Sequence, residues 1–373
     1  MGLHPGDLPD FPWDSLVAHR VRAAEHPDGV VDLSVGTPAD PTPAVVRDAL
    51  AAAADAPGYP TTHGTLELRE AVVQWFDRRR GVPGLDPADV LPTIGSKEFV
   101  ALAPSLLGVG SGDIVVHPRV AYPTYDVGAR LAGATPVPFD DVDDWAGLPG
   151  VRVVWVNSPS NPTGAVASRE ELARVVRAAR EVGAVVFSDE CYAELVWDAP
   201  YAASGAPSIL DPAVCGGTTE GVIAVYSLSK QSNLAGYRAA FAAGDSAVIA
   251  RLLEVRKHAG FMVPAPVQAA MVAALHDDAH VTAQRATYER RRDVLRDALV
   301  GAGFRIDDSR AGLYLWATRG EDCWETISWL AEFGIVAAPG AFYGPAGAEH
   351  VRVALTASDE RVAAAASRLV KAR

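Results

Sequence analysis

Residues able to do chemistry recur at five places in this 373-residue chain, each beside or just after an apolar run. They are Gly-Ser-Lys (95–97), Ala-Tyr-Pro-Thr-Tyr (121–125), Asn-Ser-Pro-Ser-Asn-Pro-Thr-Gly (157–164), Ser-Asp-Glu-Cys-Tyr (188–192) and Ser-Leu-Ser-Lys (227–230). The lysines carry weight because only four occur among 33 basic residues: Lys97, Lys230, Lys257 and Lys371. Arginine takes nearly every generic cationic position. An amine can lose its proton and condense with a carbonyl, which a guanidinium cannot.

Taken singly, each group has a structural explanation: Asn-Pro-Thr-Gly is a good turn, Ser-Asp-Glu can cap a helix, and a lysine after a strand is often solvated. Taken together, they ask for a ligand with an electrophilic carbonyl, a ring nitrogen that prefers to be protonated, and a phosphate. Pyridoxal 5'-phosphate has all three. Lys230 would form the Schiff base, its ammonium disfavoured by burial and neighbouring cations. Asp189 would hold the ring nitrogen protonated, while Tyr192 and Asn161 reach the ring's phenolic oxygen and Tyr122 stacks on the ring. The backbone N–H groups of Ser96 and Lys97, at an expected helix N-terminus, would meet the phosphate together with Ser227 and Arg238.

The elements that must position these residues read as a wound α/β domain. Runs rich in β-branched residues at 113–117, 151–156, 183–189 and 221–227 predict buried strands of a mostly parallel sheet. A helical pattern over 168–183 separates two of them, with Ser168 and Glu171 spaced as a capping box. Ligands of such sheets bind beyond the carboxyl ends of the strands, where these polar groups fall. After Pro266 the pattern becomes one long helix to about residue 303, then strands at 312–318 and 350–355 with a helix between, a smaller α+β domain. The expected layout is an N-terminal arm (1–35) joining the small domain, a large cofactor-binding domain (36–262) and a small C-terminal domain (263–373).

The net charge of −13 argues against a surface made for nucleic acid or anionic membranes and favours small-molecule partners. Three cysteines (Cys191, Cys215, Cys323), with no Cys-x-x-Cys pair, suggest neither a disulfide framework nor a metal site. The acidic, proline-bearing N-terminus lacks a signal-peptide pattern, and no apolar stretch has spanning length, so a cytoplasmic location is expected.

The chain resembles the fold-type I, class I/II pyridoxal-phosphate aminotransferases over essentially its whole length. Asn-Pro-Thr-Gly, then Ser-Asp-Glu-x-Tyr, then Ser-x-Ser-Lys with an arginine eight residues on, then a late arginine in His-Val-Arg-Val-Ala-Leu, recur there in this order. The resemblance implies that Arg352 clamps the substrate α-carboxylate with help from Asn161 and the backbone of Gly36. It also implies that Tyr59 reaches the phosphate of a neighbouring subunit's cofactor, hence a homodimer with shared active sites acting on amino acids and 2-oxo acids.

Whole segments, among them LPDFPWD, APGYPTTHGTLELREA and RKHAGFMVPAPVQAAM, are similar to N-succinyldiaminopimelate aminotransferases. That likeness implies a ping-pong transamination in diaminopimelate and lysine synthesis. Arg20, Arg22, Lys257 and Arg319 are the candidates for the succinyl carboxylate. Transamination of aspartate, alanine or N-acetylornithine is an alternative, as is a carbon–sulfur β-lyase. A cofactor-sensing regulator would need an attached DNA-binding domain, for which the lead before residue 40 is too short. A nicotinamide dehydrogenase would need a glycine pattern that 108–113 does not supply.

Overall fold

The structure, a computed structural model, describes residues 8–371; the first seven residues of the expected arm and the last two of the chain lie outside the described residues. A short strand, β1 (Val31–Asp32), follows the helix Val17–Ala24. Seven strands then build the larger sheet: β2 (Val90–Ile94), β3 (Ile114–Pro118), β4 (Thr135–Phe139), β5 (Val151–Asn157), β6 (Val185–Asp189), β7 (Val222–Ser227) and β8 (Ala239–Gly244). Their order is β2-β8-β7-β6-β5-β3-β4. β8 runs antiparallel to both its neighbours, and the other pairs are parallel.

The four strands expected from β-branched runs are β3, β5, β6 and β7. The other three carry weak strand signals for physical reasons. Pro92 lies in β2, and Pro136 and Pro138 lie in β4, the two edges of the sheet, where a residue without an N–H is tolerated. β8 reads Ala-Ala-Phe-Ala-Ala-Gly, poor in β-branched residues, yet every position is buried.

Parallel register places the site. Asn157 pairs with Asp189 across β5 and β6, and Asp189 with Val225 across β6 and β7, so Asn157, Asp189 and Ser227 end neighbouring strands at one edge. β2 leads through Gly95 into the helix Ser96–Leu106, and β7 leads into the one-turn helix Leu228–Gln231 that carries Lys230.

The second sheet contains β9 (Arg305–Asp307) and β10 (Tyr314–Thr318), joined after β11 (Ile335–Val336) by β12 (Ala338–Pro339) and β13 (Val351–Ala354). The order is β12-β13-β10-β9, all antiparallel, while β11 pairs in parallel with β1. The single long helix expected after Pro266 is two helices, Ala265–His276 and Asp278–Gly301. They break at Asp277, which leaves helical geometry and accepts a hydrogen bond from the Ala279 N–H as an N-cap.

The apolar side chains divide at the same point. Ala270, Met271 and Leu275 pack with Leu68, Val72 and Phe241 under the larger sheet. Tyr288, Leu295 and Leu299 pack with Leu16, Val31 and Leu33 against the smaller one. The packing partners of the two helices therefore change at Asp277, within the small domain expected from residue 263.

Candidate active site

Lys230 is half-buried at the end of β7, and its ammonium donates to the Gly36 carbonyl. Burial lowers its pKa below the usual lysine range; Tyr314 opposes the shift and the Arg352 cation adds to it. The amine is thus poised toward the neutral, nucleophilic form.

Asp189 lies in the interior at the end of β6. Its carboxylate accepts from the Tyr125 hydroxyl at 2.8 Å and from the Cys191 N–H at 3.1 Å. Burial raises its pKa, and these hydrogen bonds only partly oppose the rise. Tyr192 is buried with its hydroxyl 3.2 Å from that of Tyr314. Burial raises the Tyr192 pKa well above the usual phenol value. At Tyr314 burial pushes upward too, but the Arg352 and Lys230 cations prevail and its pKa falls. Tyr122 packs edge-on to Tyr125, with ring centroids 6.0 Å apart, and burial pushes its hydroxyl up to about 12.

Arg352 projects from β13 and is only 3% exposed. One terminal nitrogen donates to Asn161 Oδ1 at 2.8 Å and the other to the Ser34 carbonyl at 2.7 Å. The guanidinium lies 3.8 Å from the centroid of the Tyr314 ring, and its Nε has no hydrogen-bond partner. Only neutral groups satisfy this buried cation. A carboxylate ligand would supply what is missing.

The phosphate expectation meets a defined cradle. Gly95 has φ +77° and precedes Ser96 and Lys97, the first residues of a helix with no side-chain cap. A Cβ on Gly95 would come within 2.1 Å of the Arg238 guanidinium, so only glycine lets the arginine lie against this helix N-terminus. Ser227, 2% exposed, bonds to Ser229 Oγ at 2.8 Å and the Ala239 carbonyl at 3.3 Å. The N–H groups of a helix N-terminus with an adjacent guanidinium suit a phosphate.

These residues fit pyridoxal phosphate: the cradle could take the phosphate, Lys230 could offer the amine, and Asp189 is a buried carboxylate with no cationic partner among the described residues. A protonated ring nitrogen would compensate it. Tyr59 stands apart, 96% exposed and with no hydrogen bond or ring contact to the other candidates among the described residues.

Four contributors were missed in the sequence. Tyr125 binds Asp189, Tyr314 touches both Tyr192 and Arg352, Ser34 holds Arg352 by its carbonyl, and Ser229 shares the Ser227 hydroxyl. Ser229 and Tyr125 lie inside segments already singled out, whereas Tyr314 and Ser34 come from distant parts of the chain with no local signal.

The four cations proposed for a distal carboxylate are engaged elsewhere within this chain. Arg20 pairs with Asp32, Arg22 with Glu25 at 2.6 Å and Lys257 with Glu254 at 3.1 Å. Arg319 lies 4.2 Å over the Trp329 ring and 3.4 Å from Glu321.

A family model described as "Aminotransferase class I and II" matches residues 28–369. The 4-dedimethylamino-4-oxo-anhydrotetracycline transaminase OxyQ of Streptomyces rimosus is 59% identical over 363 residues, covering 97% of this chain and 99% of that protein. A probable aminotransferase of Mycobacterium tuberculosis is 58% identical, covering 97% of this chain and 85% of that protein. Among solved structures, a probable N-succinyldiaminopimelate aminotransferase from Thermus thermophilus superposes with a TM-score of 0.85 at 32% identity, covering 97% of this chain and 100% of that one.

Proposed function

The chain belongs to the class I and II aminotransferases, and from that membership we propose that it interconverts N-succinyl-LL-2,6-diaminopimelate plus 2-oxoglutarate with N-succinyl-2-amino-6-oxopimelate plus glutamate. The observation that carries an amino-acid substrate is Arg352, a buried guanidinium held by neutral groups within the same cluster as the lysine amine. The likeness to the Thermus protein and the segment resemblances support the succinylated substrate.

Pyridoxal 5'-phosphate, the cofactor of this family, supplies when bound an aldehyde that takes up the amino group and a ring that accepts electrons from Cα. Lys230 Nζ would be the amine offered to that aldehyde and, once free, would move the proton from the substrate Cα. Asp189 would keep a proton on the ring nitrogen, and Tyr125 orients that carboxylate. Asn161 and Tyr192 would bind the phenolic oxygen, and Tyr122 would lie against the ring. Ser96, Lys97, Ser227 and Arg238 would hold the phosphate, and Tyr59 would be contributed across a homodimer. Arg352 fixes the α-carboxylate so that the Cα proton faces Lys230.

A second reading is favoured by the 59% identity to OxyQ, a transaminase named for an oxo group on a fused-ring compound. The aromatic walls beside Arg352 suit such a ring. One single-turnover absorbance assay separates the readings. Purified, cofactor-loaded protein is mixed with N-succinyl-LL-2,6-diaminopimelate, glutamate, aspartate, alanine, N-acetylornithine, cystathionine or an amino-anhydrotetracycline. Rapid conversion by the succinylated donor and glutamate alone is expected. Conversion by the tetracycline and not the succinylated donor overturns the substrate, and pyruvate release from cystathionine without an oxo-acid requirement identifies a β-lyase.

A further inference from the structure

A cavity of about 150 Å³ opens directly from Arg352. Phe11 and Trp13 of the N-terminal segment line it together with Phe342 and Tyr343, and Trp13 meets Phe342 edge-on at 5.2 Å. Its lining includes two cations, Arg352 and Lys97, and no carboxylate. The Lys97 ammonium lies 5.8 Å from the centroid of the Phe11 ring and has no carboxylate partner among the described residues. In the adjoining cleft of about 580 Å³ the arginines are paired, Arg119 with Asp140 at 2.6 Å and Arg130 with Asp126 at 2.7 Å.

We propose that Lys97 is a specificity residue: its ammonium, lining the same aromatic-walled cavity as Arg352, binds a carboxylate at the far end of the substrate side chain. The reading rests on Arg352 as the α-carboxylate clamp. Two cations lining one apolar-walled space match an amino acid with carboxylates at both ends and an apolar stretch between. The aromatic walls cover that stretch and lower the local dielectric, which strengthens both charge contacts once the ligand excludes water. Lys97 is held at this cavity because it is the second residue of the helix Ser96–Leu106. The expected phosphate contact uses its backbone N–H, so the side chain is free for this second task.

The test uses the ratio of kcat/KM for paired donors that differ only in the terminal group: N-succinyl-LL-2,6-diaminopimelate against its terminal amide, and glutamate against glutamine. A charge-assisted hydrogen bond of about 1.5–3 kcal/mol corresponds to roughly 10- to 100-fold. Wild type is expected to favour the carboxylate member by that factor, Lys97→Met to lose the preference and Lys97→Glu to reverse it. Because each ratio is taken within one variant, cofactor occupancy cancels. An unchanged ratio in Lys97→Met, or no preference in wild type, overturns the proposal. If the succinylated donor fails and glutamate reacts, the pathway assignment falls and Lys97 is judged on the second pair. If no donor reacts, calorimetric binding of pimelate against hexanoate to holoenzyme decides: loss of the pimelate preference in Lys97→Met supports the subsite, and equal affinities in wild type reject it.

Discussion

At the scale of single residues, the account rests on groups whose charge is poorly matched to the protein alone. Lys230→Ala should abolish steady-state transamination, and turnover at the wild-type rate in that variant would contradict the role given to its amine. Asp189→Asn keeps the shape but cannot stabilise a protonated ring nitrogen, so kcat should fall about 10²–10⁴-fold with the fold intact, read by steady-state kinetics beside circular dichroism. Burial lowers the Lys230 pKa, which gives the cofactor-free protein a pH signature. Between its folded value and the ordinary lysine value the unfolded chain binds the extra proton, so stability from this group rises with pH. Cofactor-free Lys230→Met should therefore melt above wild type at neutral pH, and the gap should shrink as pH rises toward the lysine range. A gap that is constant or widens would sink the argument. The sequence made Lys230, Asp189 and Asn161 legible because each follows a readable strand or turn. Tyr125 and Tyr314 were not, since their hydroxyl partners lie 64 and 122 residues away.

Among the elements, the turn between β2 and the helix Ser96–Leu106 is the most sharply constrained. Gly95→Ala forces a side chain into a positive-φ extended conformation that essentially only glycine adopts, at a cost of about 1–3 kcal/mol, and drives a Cβ against Arg238. Cofactor affinity should drop by at least about tenfold, measured by equilibrium titration of cofactor absorbance. Unchanged affinity would remove this turn from the phosphate site. Element legibility followed composition. β5, β6 and β7 are rich in β-branched residues and supply the strand ends on which the site stands. The edge strands β2 and β4 were hidden by prolines that only an edge permits, and β8 by its alanines. The break at Asp277 was hidden because Leu-His-Asp-Asp-Ala-His keeps a helical composition straight through the corner.

Across the whole molecule, the candidate site is assembled between the two sheets. Asn161 follows the larger sheet, Arg352 belongs to the smaller one, and Ser34 lies just beyond β1, so a single guanidinium ties three parts of the chain together. No local pattern encodes that meeting; the family resemblance suggested only its Asn161–Arg352 part. No helix among the described residues is long and apolar enough to cross a membrane. The exposed position of Tyr59 suits service to a neighbouring subunit. Hybrids formed by co-expressing Lys230→Ala and Tyr59→Ala chains should then recover activity absent from the Lys230→Ala parent and above the Tyr59→Ala parent, because one site of each hybrid is complete. If Tyr59 served its own chain, mixing would restore nothing.

The most direct measurement is to reduce cofactor-loaded enzyme with borohydride, digest it and locate the pyridoxyl mass by tandem mass spectrometry. The account predicts a single modified lysine, Lys230, and none after pretreatment with a saturating amino donor. Modification at Lys97 or Lys257 instead, or a Lys230 peptide that stays unmodified in spectrally loaded enzyme, would contradict it.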